Sequence, residues 1–458
     1  MKRRLCDTRD GESSPAPDRT APDAAITAAQ DVRNNTAATR QEINKARTTL
    51  NNVASAFTAA IKTDGTKGQE PVDQPAGMPA LDAAAITAYL ASQPANTAAT
   101  PYTVMVTGLN VERDLGKDTP GGRDSLGVLF DALQGKYVSL DLIGCEGRVI
   151  PDSVFDAVYY YRSDKDKLVS LILPASLTEI GHSAFQYCSA LETVDLPASL
   201  ASIGGDAFRG CSALKTIDLP ASLTAIGDRT FYNCSALETI NLPASLTKIG
   251  AGTFEDCSAL KAIDLPASLT KIGNQAFFGC GALEAIDLPV SLTEIGDLAL
   301  DGCNALKTVD LPASLTKIGF GAFQYCSALE TIDLPASLTE IDGWVFHNCS
   351  ALETVDLPAS LTKIGGYAFF SCGSLGMIDL PASLIEIGGN AFWGCNALAT
   401  LISRNATPPA LIGSSVLYNT SPSLVIYVPD TAASAYKNAA GWSGYADKIK
   451  PLSVLPAK

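Results

Sequence analysis

Leu173-Pro-Ala-Ser-Leu-Thr-Glu-Ile-Gly-His-Ser-Ala-Phe-Gln-Tyr-Cys-Ser-Ala-Leu-Glu-Thr-Val-Asp195 is followed at once by a near copy of itself, and the frame restarts at Leu196, Leu219, Leu242, Leu265, Leu288, Leu311, Leu334, Leu357 and Leu380 before ending at Ile402. An unbroken period of 23 residues means a solenoid, in which each copy is one coil and a neighbouring coil covers its apolar face. The large apolar letters of the first copy are Leu173, Leu177, Ile180, Phe185, Leu191 and Val194, with small Ala184, Cys188 and Ala190 between them. Burying these six side chains does not offset the ordering of a whole coil's backbone, so one coil alone does not fold.

Leu191-Glu-Thr-Val-Asp-Leu196 recurs as Leu-x-x-(Ile/Val)-x-Leu. Val194 and Leu196 point one way and Thr193 and Asp195 the other, which is the alternation of a strand. Stacked copies of that strand make a parallel sheet on one face, with a rise of about 4.8 Å per coil and a span of about 48 Å for the array. Pro197 ends the strand because it has no amide for the ladder. Gly181, replaced in one copy by Asp342, marks a turn where a side chain is awkward. Ala184-Phe185 is expected to open a short helical or 3₁₀ turn ending near Cys188.

The pattern Leu-Pro-x-Ser-Leu-Thr-x-Ile-Gly-x-x-Ala-Phe-x-x-Cys-x-x-Leu resembles the BspA-like (treponemal-type) leucine-rich repeats of bacterial surfaces and some protozoa. The resemblance covers residues 173–402. It extends to a C-terminal cap at 403–458, carried by Ile426-Tyr-Val-Pro429, Ala435-Tyr-Lys437, Gly441-Trp442 and Lys448-Ile449. Upstream, Tyr137 to Cys145 and Ile150 to Phe155 look like irregular opening coils. The resemblance implies a leucine-rich-repeat solenoid, α/β or mainly β. It also implies that the series Ser176, Ser199, Ser222 and onward to Ser383 lies inside the turn and bonds to backbone. For function it implies a surface or secreted adhesin that binds host extracellular-matrix or plasma proteins, other bacteria or host cells. Met1-Lys-Arg-Arg-Leu-Cys6 runs straight into Asp7-Thr-Arg-Asp10, so no signal peptide is read here, and an intracellular interaction scaffold is the alternative.

The flanks divide further. Residues 1–22 read as a disordered start. Residues 23–62 read as a helix or coiled-coil segment, from Ile43, Leu50 and Phe57 at heptad spacing. Residues 63–79 have linker composition. Residues 80–172 read as a short helix, Leu81 to Ser92, then a strand at Thr103 to Thr107, a helix near Asp124–Leu133 and an N-terminal cap. A net charge of −15 argues against nucleic-acid and anionic-membrane partners, and no apolar run is long enough for a membrane helix. Oligomeric state is not read.

Ten of the twelve cysteines fall once per coil, from Cys188, Cys211 and Cys234 to Cys395. This is periodicity, not ligand spacing, and the reading is a buried thiol ladder, with oxidation of neighbouring pairs as the other possibility. The only histidines, His182 and His347, are expected to be ordinary surface residues. No catalytic residue, metal ligand or cofactor site is assigned, and the chain is read as no enzyme. Asp recurs at the end of the unit, from Asp195 to Asp379 with Asn241 breaking the run. A solvated acidic ribbon is favoured there over a cation-binding stripe. Beside it Glu192, Lys215, Glu238, Lys261, Glu284, Lys307 and Glu330 alternate in sign and favour one coil register.

Specificity belongs where the copies differ, in the two residues after the Gly and the two before the Cys. The candidate partner-binding residues there are Tyr232, Phe278, Phe320, Trp344, Tyr367, Phe370 and Trp393, with Tyr187 and Tyr325 at equivalent places. Two readings stand open, interface anchors or rings half buried against the Phe185-type core.

Overall fold

The structure, a computed structural model, describes residues 90–114, 135–154, 165–413 and 415–456, all within one compact unit, Ala80–Lys458. The readings at 1–79, the helix near Asp124–Leu133 and most of the segment Leu81 to Ser92 lie outside those residues.

Alternation builds the first strand of each coil. In Thr216–Asp218 the isoleucine is buried and its neighbours are exposed, and the same holds for Thr239–Asn241, Ala262–Asp264 and Thr308–Asp310, where the buried residue is Ile240, Ile263 or Val309. These strands pair in parallel with the copy 23 residues on, as Ile217 with Ile240 and Ile263 with Ile286. A second parallel ladder, which the reading above lacks, is formed by two-residue strands such as Lys248–Ile249, Lys271–Ile272, Glu294–Ile295 and Lys317–Ile318. Its isoleucines face inward and its charged partners outward. The chain is therefore mainly β.

No helical turn forms after Ala184. Ser183 and Tyr187 both take left-handed backbone, with φ of 53° and 62°. Their amides and that of Phe185 donate to the next coil, at Gly205, Arg209 and Ala207 carbonyls, over 2.9, 2.6 and 2.7 Å. The intervening Gln186 and Cys188 amides bond back to Ser183 and Phe185. A helical turn would direct every amide into its own coil, whereas left-handed residues aim alternate amides along the solenoid axis. The result is a third ladder. Gly181 serves close approach, since a Cβ there would sit 2.6 Å from the Asp152 amide nitrogen.

The core is a stack of columns. Phe185, Phe208, Phe231, Phe254 and Phe277 are fully buried with ring centroids 5.3–5.7 Å apart. Leu300 interrupts the column, and it resumes from Phe323 to Phe392. Ahead of the repeats, Tyr102–Asn110, Val138–Glu146 and Leu168–Ile172 extend the first sheet. Behind them Thr400–Ser403, Val425–Val428 and Ile449–Pro451 continue it. There the helix Ala433–Asn438 packs buried Tyr436 edge-on to buried Trp442, and Trp442 Nε1 donates to the Pro409 carbonyl at 2.8 Å.

Candidate functional site

The scaffold columns face inward. Ser199 Oγ donates to the Leu177 carbonyl at 2.6 Å and to Ala175 at 2.8 Å, Ser222 to Leu200 at 2.6 Å, and Ser176 to Gly147 at 2.8 Å. Cys188, Cys211 and Cys234 are fully buried. Cys211 and Cys234 turn their sulfurs toward the Phe185 and Phe208 carbonyls at 3.3 and 3.2 Å, and no described cysteine is in a disulfide. Burial pushes the Cys234, Cys280 and Cys395 thiols up to about 12, so they are poor nucleophiles at neutral pH.

Outside the sheet, the Asp column is in register, as Asp310, Asp333 and Asp356 show, and Arg404 grips Asp379 at its end over 2.6 and 2.9 Å. Among the described residues no three His, Cys, Asp or Glu side chains are grouped to hold a metal ion. The Glu/Lys column beside it forms one ion pair among the described residues, Lys215–Glu192 at 3.9 Å. Stronger pairs lie on the second ladder, where Glu294 meets Lys271 at 2.9 Å and Lys317 at 3.2 Å, and Lys363 meets Glu386 at 3.2 Å. The hydrogen bond from Lys271 leads in holding the Glu294 carboxyl below its ordinary range. That alternation was readable as Lys271, Glu294, Lys317, Glu340, Lys363, Glu386.

The turn edge differs from coil to coil. Its left-handed positions suit Gly, Asn and Asp, and several copies place those there, as Gly252, Asn390 and Gly279. The last repeats instead put Tyr325, Trp344 and Tyr367 at φ of 57°, 64° and 60°. Left-handed backbone costs a bulky L-residue about 1–2 kcal/mol. Ring stacking returns about 0.5–1.5 kcal/mol per pair, and the contacts of Trp344 with Phe320, His347 and Tyr367 together offset that cost.

Five of the candidate residues come together in one run. Trp344 lies 4.8 Å from Tyr367 and 6.2 Å from Phe320, Tyr367 5.6 Å from Phe370, and Phe370 5.3 Å from Trp393. Tyr325 flanks the run, and Tyr418, beyond the last repeat, extends it by an edge contact to Trp393 at 5.4 Å. Phe320, Tyr325 and Tyr418 are exposed, while Trp344, Tyr367, Phe370 and Trp393 are half-buried. The remaining two candidates stand apart. Tyr232 belongs to a separate group in which Arg209 lies over it at 4.7 Å and over Tyr187 at 5.7 Å. Phe278 makes no ring contact among the described residues.

His347 is not a surface residue. It is 5% exposed and stacked between Trp344 at 4.3 Å and Phe370 at 4.9 Å, with Tyr325 edge-on at 5.5 Å. Burial lowers its pKa below the ordinary 6.5, so the imidazole is neutral at physiological pH and binds as an aromatic ring. Its place in the same column as Phe370 and Trp393 was the available signal. His182 stays exposed, 4.0 Å from Asp206. Tyr418 lay outside the repeat frame and gave no signal, yet the Gly394 amide donates to its carbonyl at 3.0 Å and so continues the third ladder.

Charge divides the edge. From Phe320 to Gly394 the two positions after the turn glycine and the two before the Cys carry Phe, Gly, Gln, Tyr, Trp, neutral His, Asn and Ser, and the one charge in these turns is exposed Asp342 at the place of the glycine. The turns before them carry Asp206, Arg209, Asp228, Arg229, Glu255, Asp256, Asp297 and Asp301.

Stacked coils with a Leu-x-x-(Ile/Val)-x-Leu strand on one side and variation confined to a turn edge define a leucine-rich repeat protein. The BspA type leucine rich repeat region matches residues 157–284, 270–399 and 316–439. These segments together exceed half the chain, which therefore belongs to the BspA-type leucine-rich repeat family. Similar solved structures include a leucine-rich repeat protein from Bacteroides ovatus, 28% identical over 67% of this chain and 88% of that one, with a TM-score of 0.47. A leucine rich cell surface protein from Faecalibacterium prausnitzii is also 28% identical, over 59% and 85%, with a TM-score of 0.37. The leucine rich repeat protein of T. pallidum is 28% identical over 43% and 78%, with a TM-score of 0.31. No curated protein matches the chain. Among the described residues no helix is long and apolar enough to cross a membrane.

Proposed function

We propose that this chain is a non-enzymatic protein-binding solenoid, displayed at a bacterial surface as an adhesin for host extracellular-matrix or plasma proteins or for other cells. Its recognition face is the turn edge from Phe320 to Tyr418. The observation that carries the reading is the run of uncharged rings held there in consecutive coils, with Asp342 the one charge in those turns. Protein interfaces concentrate aromatic residues at their centres and exclude charge from them. Gln324, Asn348, Ser371 and Asn390 supply a polar rim around the rings. Family membership supports both protein binding and surface display. The high thiol pKa values and the ring-enclosed neutral imidazole support a non-catalytic role.

The test removes the exposed rings and leaves the half-buried stack in place. The triple variant Phe320→Ser, Tyr325→Ser, Tyr418→Ser is expected to unfold at nearly the same denaturant concentration as the parent. It is also expected to lose adhesion to immobilised matrix and plasma proteins and to host cells. Full adhesion by the variant would remove the edge as the recognition face. Protease treatment of intact cells, followed by immunoblotting, addresses display: loss of the protein supports it, and protection transfers the reading to an intracellular scaffold.

A further inference from the structure

We infer that Asp301 anchors a lysine or arginine side chain of the bound protein, so that the partner segment carries a basic residue beside the apolar residues that cover the rings. This rests on the turn edge being the recognition face.

Asp301 stands in the column that holds Phe278 one coil before it and Gln324, His347, Phe370 and Trp393 after it. Its main chain is fixed on both sides. The Gly279 amide donates to the Asp301 carbonyl at 2.8 Å, and the Gly302 amide donates to the Gln324 carbonyl at 2.9 Å. The residue is only 6% exposed, yet its carboxylate meets no hydrogen-bond donor and no cation among the described residues. What little of the residue is exposed leaves the carboxylate reachable from solvent, and a mostly covered carboxylate without a protein partner is destabilising. The repeat does not require an acid there, because Tyr232, Phe278 and His347 occupy the same place in other coils.

Four coils earlier the same edge shows a base held by acid and rings together. Arg209 lies 3.2 Å from the Asp206 carboxylate while its guanidinium covers Tyr232 and Tyr187. Asp301 occupies the column of Arg209, with Phe278 in the same column one coil before it and exposed Phe320 and Tyr325 at other turn positions of the following coil. The basic residues at the variable turn positions, Arg209 and Arg229, belong to earlier coils. The other charged variable positions in the coil of Asp301 and the two coils before it are Asp297, Glu255 and Asp256, all acidic, and the whole chain carries −15. A guanidinium or ammonium from outside would gain a partly desolvated carboxylate and ring contacts together. An acidic segment would meet repulsion at the same point.

A random-peptide phage library selected against the intact protein tests the anchor. Peptides that combine Lys or Arg with aromatic or aliphatic residues should be enriched on the parent. The Asp301→Asn protein should enrich the apolar residues without the basic one, and a synthetic peptide from the parent selection should bind it about tenfold more weakly. Equal basic enrichment on Asp301→Asn overturns the anchor. Peptides that need the rings, absent from selection on the Phe320→Ser, Tyr325→Ser, Tyr418→Ser protein, but that show no basic preference overturn the anchor and leave the recognition face standing. A selection that yields no ring-dependent peptide overturns both.

Discussion

Replacing Trp344 by Gly and by Ala isolates the strain held at the recognition edge. Both changes delete the indole, its 4.3 Å stack on His347 and its 4.8 Å stack on Tyr367, so they differ by a single methyl group. At the φ of 64° that Trp344 adopts, that methyl meets the left-handed penalty of about 1–2 kcal/mol. Against it stands the greater unfolded-state entropy of glycine, about 0.5–1 kcal/mol. The difference favours Gly by about 0–1.5 kcal/mol. Phe370 supplies the control, since it lies on the same edge and is not among the residues of positive φ. There the entropy effect acts alone, and Ala should be more stable than Gly by about 0.4–1 kcal/mol. Urea unfolding of the four proteins, followed by far-ultraviolet circular dichroism, reads the two differences. Opposite signs at the two positions are expected. A Trp344→Ala protein more stable than the Trp344→Gly protein, as at Phe370, would refute the claim that the aromatic edge is held in strained backbone.

Burial pushes the Asp301 carboxyl up to about 6 from its ordinary 3.8. The folded state therefore binds a proton between those values where the unfolded chain does not, and stability falls as pH rises from about 4 to about 6 and then levels. Asp301→Asn should be more stable than the parent at pH 7.5, on the order of 1–3 kcal/mol, with the gain gone near pH 4. A pH-independent difference in unfolding midpoints would contradict this. The cysteine column should resist iodoacetamide in the native protein at pH 8, since its thiols are buried and those of Cys234, Cys280 and Cys395 lie at about 12. It should react fully in urea, and stoichiometric native labelling would mean that the column opens. Ser268→Ala deprives the Leu246 and Ala244 carbonyls of a donor at 2.6 and 2.8 Å. It should lower stability by about 1–3 kcal/mol, and a loss below experimental error in urea melts would deny the serine column a structural part.

The repeat frame was legible because it is written in side-chain chemistry that acts locally. Period 23, the alternation around Val194 and the inward run from Leu177 to Leu191 each follow from which groups avoid water. The second ladder was legible in principle, since the isoleucine at the place of Ile180 is preceded by residues of alternating charge in later copies, but two residues are too few to show a period of two. The turn after Ala184 was misread for a related reason. Ala-Phe followed by mixed residues carries ordinary helical propensity, and only the demand of the next coil for amide donors makes Ser183 and Tyr187 left-handed. Tertiary hydrogen bonding overrode a weak local preference.

The candidate site was legible only as a set of positions. Variation beside Gly181 and Cys188 pointed to the turn edge and to Phe320, Trp344, Tyr367, Phe370 and Trp393. It did not show that these five rings touch while Phe278 stands alone and Tyr232 pairs with Arg209. It also hid that His347 is a neutral ring inside the stack, that Tyr418 completes the run, and that Asp301 is mostly covered and meets no hydrogen-bond donor among the described residues.

The amino-acid sequence by itself determined the coil, its period, the residues that face the core and the edge on which the copies are free to differ. Those follow from hydrophobic burial and from glycine and proline geometry, which each short segment carries within it. The stacked structure alone decided which edge residues meet, which of them are strained and which charge is left alone. Such relations join residues one coil apart in space but a whole repeat apart in the chain, and they depend on the direction each turn gives its side chains.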